Sequence, residues 1–350
     1  MRPDHVFVAG LGTYLPERVS TRQAVEEGWY DADEAATSGW TSAAVAGDVS
    51  APDMAVYAAR LAMRRSGHRP EDIAVLMHAC TLHQGPDIWP PQQYIQRHTI
   101  GGTAPALELR QSCNGMLGAM ELSCCFLAAH DATAALITGA DNFGTPLFDR
   151  WRYLSGAGTN RTSILGDAAA ALVLSRRGGF ARLRAIRSMS LPDLEELTRS
   201  GVPLFPPDAT VGRKADLGAR VAHLRHTDPE AFTAAREALQ DARSQLAEQA
   251  LAEAGIEPAQ VTRVTHVFGG GVEYVKSVLS PVGIDASRGL LDFGRGVGHL
   301  GTCDHAVGLD HLLTTGQVGA GDHVLMMSNG GASLTCAVLS ILTRPAQRQP

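Results

Sequence analysis

At 350 residues the chain is too long for one small module and suits a large single fold or two paired halves. Apolar residues make up 45% and charged residues 19%, enough to bury a sizeable core, which excludes a disordered tail, a collagen and a coiled coil. The net charge is −6, Lys214 and Lys276 are the only lysines, and no basic run exists, so a nucleic-acid or anionic-membrane surface is not expected.

Short strand-like runs alternate with longer helical ones. His5–Gly10 reads as a strand, Pro52–Ser66 as a helix, Ile73–Cys80 as a strand, Pro91–His98 as a helix and Ala106–Leu109 as a strand. Gly115–His130 is a strongly apolar helix, and Ala134–Gly139 and Ala168–Ser175 are buried strands. From Pro192 to about Asp241 the texture changes to proline-interrupted polar sequence, which predicts an insertion or cap followed by the amphipathic helix Pro229–Ala254. The alternation then resumes. Strands are expected at Val264–Phe268, Gly289–Phe293, His323–Ser328 and Leu334–Ile341, with helices at Gly271–Ser280 and Cys303–Thr314. This pattern argues for an α/β protein with a mixed or parallel sheet.

The two halves echo one another. The stretch from Ala106 through Cys113 to Ala134–Gly139 runs strand, tight turn, helix, strand; the stretch from Gly289 through His299 to His323–Ser328 repeats that order. A duplication would bring the two turns together about a pseudo-dyad, one carrying Cys113 and the other His299.

Six cysteines (Cys80, Cys113, Cys124, Cys125, Cys303, Cys336) show no CxxC pair and no regular spacing, so neither a zinc site nor a disulfide framework is indicated. Cys113 stands at the start of an apolar helix, where unsatisfied amides and the helix dipole favour a thiolate. A thiolate beside an imidazole performs acyl transfer through a thioester; a cysteine there is equally suited to packing as a small apolar residue. Cys124, Cys125 and Cys336 read as core. Asp304, five residues past His299, and Asn329, in the SNGGAS loop, are the two candidates for orienting the imidazole. Amides of Gly330 and Gly331 are candidates for an oxyanion site. Gly296–Gly301 matches GxGxxG, but too little chain follows for a nucleotide domain, and the acid Asp322 precedes the next strand instead of ending it. Trp89, flanked by prolines, marks a rigid loop. The N-terminus lacks a signal-peptide pattern and no run reaches the length of a membrane helix, so a cytoplasmic enzyme is expected.

GLGTYLPERVST near the start, the strand–loop–helix around Cys113, ILGDAAAALVLS at 164–175 and GQVGAGDHVLMMSNGGAS near the end together resemble β-ketoacyl-ACP synthase III, least closely within 180–260. The resemblance implies the thiolase fold, a duplicated five-layer αβαβα architecture, and a homodimer with Cys113 as the acylated nucleophile. It divides the chain into an N-terminal half (1–178) carrying the cysteine, a linking cap and helix (179–260), and a C-terminal half (261–350) carrying the histidine. No permanently bound cofactor is implied; the donor would be an acyl-CoA or acyl-carrier-protein thioester.

The departures are informative. The family's Cys-His-Asn set supports decarboxylation of a malonyl thioester, but Gly269 stands here at the position of its histidine, and its asparagine opens the loop that here contains His299. One imidazole suffices to deprotonate an acceptor, whereas losing an enolate stabiliser costs about 10²–10³ in rate. The pattern is similar to the acyltransferase-like branch of synthase III homologues in antibiotic biosynthesis, which pass an acyl group to a hydroxyl or amine of a small-molecule acceptor. That branch uses a Cys-His-Asp type triad. By alignment Asn329 falls in the loop covering the nucleophile and Asp304 on the helix beginning near His299, and Asn329 is preferred here as the orienter. Trp40 falls where the family stacks a tryptophan on the adenine of CoA, although TSAAVAGDVS replaces the arginine-bearing stretch after it. Trp89 matches the loop gating the partner's acyl pocket, and Met116 is expected to help set pocket volume. The rival readings are a starter-unit ketosynthase priming a polyketide or fatty-acid chain, and a catalytically silent partner subunit.

Overall fold

Capping residues start and stop the elements where the sequence places its punctuation. In the computed structural model, which describes residues 1–3, 5–155 and 163–345, strand β1 (Phe7–Tyr14) leads through β2 (Arg18–Ser20), α1 (Thr21–Glu26), α2 (Ala32–Ser38) and β3 (Ser42–Ala44) to α3 (Ala51–Ser66). Ser50 caps α3 by accepting the Asp53 amide, Pro52 occupies its first turn, and Gly67 closes it at φ 72°. The N-terminal half continues as β4 (Ile73–Ala79), α4 (Pro91–Thr99), β5 (Ala106–Leu109), α5 (Gly115–Ala129), β6 (Ala134–Asp141) and β7 (Ala168–Ser175). After β8 (Ala181–Ser190), helices α6 (Glu195–Arg199) and α7 (Leu217–Thr227) precede the long α8 (Pro229–Ala254). The chain ends with β9 (Val261–His266), α9 (Val272–Leu279), α10 (Leu291–Arg295), α11 (Asp304–Thr314), β10 (His323–Gly330) and β11 (Ser333–Ile341).

Among the described residues nine strands form one mixed sheet in the order β5-β4-β6-β7-β1-β8-β11-β10-β9. Read outward from the β1/β8 seam, the halves match. β7 and β11 are antiparallel to their inner neighbours, β6 and β10 antiparallel to those, and β4 and β9 parallel to these in turn. Helices α5 and α11 each touch strands of both halves, while α3 covers β1, β6 and β7 and α8 covers β8 and β11. Because β1 and β8 pair only at Phe7 with Arg182 and Val8 with Ala181, the two halves of this sheet act as two layers. With α5 and α11 between them the order is helix, sheet, helix, sheet, helix, as the resemblance implies. Enclosure from both sides explains why α5 is apolar around most of its circumference, with Met116, Leu117, Met120 and Leu127 fully buried.

Two expectations need correction. Gly289–Phe293 is not a strand: a 3₁₀ turn at Ala286–Arg288 runs into α10. The Leu290 amide, which a ladder would need, donates instead to His266 Nε2 at 3.1 Å, so β9 stays the sheet edge. Five apolar residues do not distinguish strand from helix. Within 179–260, Ala181–Ser190 is strand β8, pairing β11 along its length and meeting β1 at the seam. Its alternation of buried Ala181, Leu183 and Ala185 with arginines was hidden by the charge of that stretch. Between Pro192 and α8 the chain forms α6 and α7, with α7 packed on both α6 and α8. Among the described residues no helix is long and apolar enough to cross a membrane.

Candidate active site

Cys113 sits in the 3₁₀ turn Ser112–Asn114 that feeds α5. Ser112 takes φ 49°, a left-handed conformation costing a non-glycine residue about 1–2 kcal/mol, so the turn is held by its surroundings. The β10–β11 hairpin supplies that support. Ser328 Oγ donates to the Cys113 carbonyl at 3.0 Å. Gly330 lies so close to the turn that a Cβ there would be 2.6 Å from the Asn114 nitrogen and 2.8 Å from the Cys113 nitrogen.

His299 arrives from the other half. Its amide donates to the Ile164 carbonyl and its carbonyl accepts the Gly166 amide, at 2.8 and 2.9 Å. Gly166 has no side chain because one would lie 2.1 Å from the Val297 carbonyl oxygen. The ILGD motif thus serves as the seat of the histidine loop, and its Asp167 anchors the loop floor through Arg150 and the Ala46 and Phe143 amides.

The duplication places the two turns face to face, with Cys113 Sγ 2.8 Å from His299 Nε2. The other ring nitrogen, Nδ1, donates to Asp304 Oδ2 at 2.7 Å. Asp304 also accepts the Phe268 and Leu300 amides at 2.9 and 2.7 Å. Burial alone would drive the imidazole neutral, but the Asp304 carboxylate and the Cys113 sulfur outweigh it and keep the ring protonated up to about 10. Burial likewise opposes ionisation of Asp304, yet the imidazolium and the two amides hold its carboxyl below the usual range. His299 and Asp304 are therefore both charged at neutral pH. This corrects the preference for Asn329: its Oδ1 accepts from Arg243 at 3.1 Å, and the group on Nδ1 is Asp304.

The pair opens on a cavity of about 730 Å³. Asn329, Gly330 and Gly331 line its base, Phe148, Leu194, Leu217, Val221 and Phe232 form an apolar wall, and Gln240 and Arg243 of α8 face it from the other side. Tyr274 lines it too, and fills the space that a side chain at Gly269 would enter: a Cβ there would lie 2.5 Å from the ring.

Other expected binding residues lie elsewhere. Trp40 is 3% exposed, packed in the core because Thr41 bonds back to the Arg295 carbonyl and draws this stretch under α10. Its ring offers no free face for a base. Met116 is a core residue behind the nucleophile, against Gly139, and is absent from the cavity wall. Trp89 is half-buried, its ring 5.3 Å from that of Tyr94, while its loop contributes Thr81 and Leu82 to the wall. Cys125 is exposed rather than core, whereas Cys124 and Cys336 are buried as expected. A second cleft of about 520 Å³ shares Phe148 with the main cavity and carries Trp29, Trp151, Arg152 and Lys214. Sequence reading missed this cleft, Tyr274 and the buried Asp141; for Asp141 the available signal was an acid ending an otherwise apolar strand.

The family model described as 3-oxoacyl-[acyl-carrier-protein (ACP)] synthase III matches residues 107–189, and its C-terminal counterpart matches 251–341. The chain is 28% identical to a β-ketoacyl-[acyl-carrier-protein] synthase III of Rhodospirillum centenum over 94% of this chain and 96% of that one. Among solved structures it is similar to ChlB3, described as an acyltransferase, at 43% identity, TM-score 0.90 and coverage of 98% and 99% of the two chains. A 3-oxoacyl-[acyl-carrier-protein] synthase III from Aquifex aeolicus shares the fold, with TM-score 0.75 at 19% identity over 96% and 99%.

Proposed function

Since this chain belongs to the ketosynthase III-like enzymes of the thiolase superfamily, we propose that it is an acyltransferase carrying an acyl group from a thioester, through Cys113, to a hydroxyl or amine of a natural product. The observation that carries the reading is the Cys113–His299–Asp304 relay, with one imidazole at the sulfur and an aspartate on its far nitrogen. Enzymes of this family use acyl thioesters, and the Cys113 thiolate attacks the donor's carbonyl carbon. Amides of Cys113 and the Gly330–Gly331 region stabilise the oxyanion. The donor's carbon–sulfur bond then breaks, and its thiolate leaves with the proton of the His299 imidazolium.

Once the imidazolium has given its proton to the departing donor thiolate, the acylated sulfur can carry no negative charge to hold the ring protonated. His299 is left neutral and available as the base of the second step. Its neutral Nε2 accepts the proton of the incoming O–H or N–H. That atom attacks the acyl carbon, the Cys113 carbon–sulfur bond breaks, and the thiolate–imidazolium pair is restored. Decarboxylative condensation is disfavoured by the ring of Tyr274, which occupies the room a second imidazole at 269 would take. The 43% identity to ChlB3 supports the same reading.

As donor we include both CoA and a carrier protein; the aromatic, basic cleft beside Phe148 suits the anionic arm of either. A homodimer belongs to the proposal, because edge strand β5 exposes Leu107 and α5 exposes Leu122. The relatives described as synthases keep a starter-unit ketosynthase as the second reading. Incubation with malonyl-carrier protein separates the two. Carbon dioxide release with a new carbon–carbon bond supports the synthase and overturns transfer; an ester or amide product with no carbon dioxide supports transfer.

A further inference from the structure

Asp141 ends β6 and is 1% exposed. Its Oδ1 accepts the Thr81 amide at 2.8 Å, and its Oδ2 accepts the Thr81 hydroxyl at 2.8 Å and the Thr302 amide at 3.1 Å. One carboxylate thus joins the segment that gives Thr81 and Leu82 to the cavity wall to the turn between His299 and Asp304. Gly301 makes the junction feasible. At φ 58° it leaves open the volume in which a Cβ would sit 2.2 Å from Asp141 Oδ2. The turn is therefore gripped at both ends: Asp304 holds the Leu300 amide and Asp141 holds the Thr302 amide.

We propose that Asp141 is a positioning residue, fixing the Gly301–Thr302 turn against the Thr81–Leu82 segment so that the imidazole of His299 stays over the sulfur of Cys113. This rests on the Cys113–His299 pair of the proposed mechanism and adds to it a second carboxylate that touches no reacting atom. A fully hydrogen-bonded buried carboxylate is costly to assemble and rigid once assembled, because each donor left unpaired by its removal is also buried. The titratable groups facing Asp141 are Cys80 from the end of β4 and Cys303 from the turn itself, with Asp304 beyond. Both thiols are pushed well up by burial and by the carboxylates near them, so they remain neutral over the working range.

The test is the pH profile of Cys113 carbamidomethylation by iodoacetamide, followed by peptide mass in a Cys125→Ser background that removes the exposed thiol. Four proteins are compared: the background, Asp141→Asn, Gly301→Ala and His299→Gln. Asp141→Asn keeps the shape but turns an N–H toward one of the three donors; Gly301→Ala pushes the turn off an intact carboxylate. Both are expected to lower the rate about tenfold at pH 7.5, where Asp141, its carboxyl raised by burial to about 6, is ionised. Both are also expected to move the profile toward that of His299→Gln, and should one variant fail to fold the other decides. If either folds and its profile superposes on the background while melting temperature alone falls, Asp141 is a fold-stabilising residue and the proposal is overturned. If His299→Gln itself leaves the profile unchanged, the pair fails and the positioning role falls with it.

Discussion

The two turns that meet at the site descend from one skeleton and have been furnished in opposite ways. In the N-terminal half, edge strand β5 leads into a turn with one left-handed non-glycine residue, and the sulfur at its tip is partly open to the cavity. In the C-terminal half the corresponding strand is missing. Helix α10 stands in its place, and the turn is built on Gly298 and Gly301 at φ 80° and 58°. His299 is 2% exposed with its ring bonded to the buried Asp304, and a second buried carboxylate, Asp141, holds the Thr302 amide of the turn. A nucleophile must be reached by substrate; a base must keep its charge state and orientation. The duplicated framework supplies the meeting point, and the asymmetry of burial divides the labour.

Substitutions that act on one turn and spare the other sharpen this contrast. The largest effect is expected at the open turn: Cys113→Ala abolishes the acyl adduct seen by intact-mass spectrometry with any thioester donor, and an undiminished adduct would defeat the nucleophile assignment. At the closed turn, Asp304→Asn preserves shape but removes the charge that holds the imidazole. Steady-state transfer is expected to fall about 10²–10⁴-fold, with Cys113 still present to be acylated slowly. Behind the nucleophile, Met116→Ala leaves a cavity in the core and is expected to lower unfolding free energy by about 2–5 kcal/mol in denaturant melts, without altering acyl preference.

Stability should also follow pH in a defined sense. His299 titrates near 6.5 when unfolded and near 10 when folded. Its pairing therefore contributes in full below about 6.5 and is lost as pH rises through 10. The gap in unfolding free energy between wild type and His299→Gln is expected to shrink steadily from pH 7 to 10; a widening gap contradicts the pairing. The smallest effect is predicted at Asn329. Because its side chain bonds Arg243 and not the imidazole, Asn329→Ala should change turnover by less than about tenfold, well below the loss at Asp304.

Much of this contrast was legible from residue order, and the failures have physical causes. Periodicity located α8 and both buried strands β6 and β7 because each is apolar on the scale of its own repeat. The pairing of Cys113 with His299 followed from the echo between halves, even though the echo was misread locally where α10 replaces a strand. The choice between Asp304 and Asn329 was not readable, since both lie near the histidine by connectivity. Only the hairpin's register turns Asn329 toward Arg243 while the first turn of α11 presents Asp304 to Nδ1. Trp40 was misplaced because an aromatic beside a short strand carries no sign of which side will be covered; here the α10 loop covers it. Asp141 escaped notice because its donors come from residues distant in sequence.

The central claim is that an imidazolium at 299 faces the sulfur at 113. Its most direct test is a ¹⁵N titration of the His299 ring by NMR, before and after Cys113 is capped with iodoacetamide. The account predicts a ring that stays protonated to about pH 10 in the free protein and titrates at lower pH once the sulfur is capped. A midpoint near 6.5 that capping leaves unmoved would contradict it.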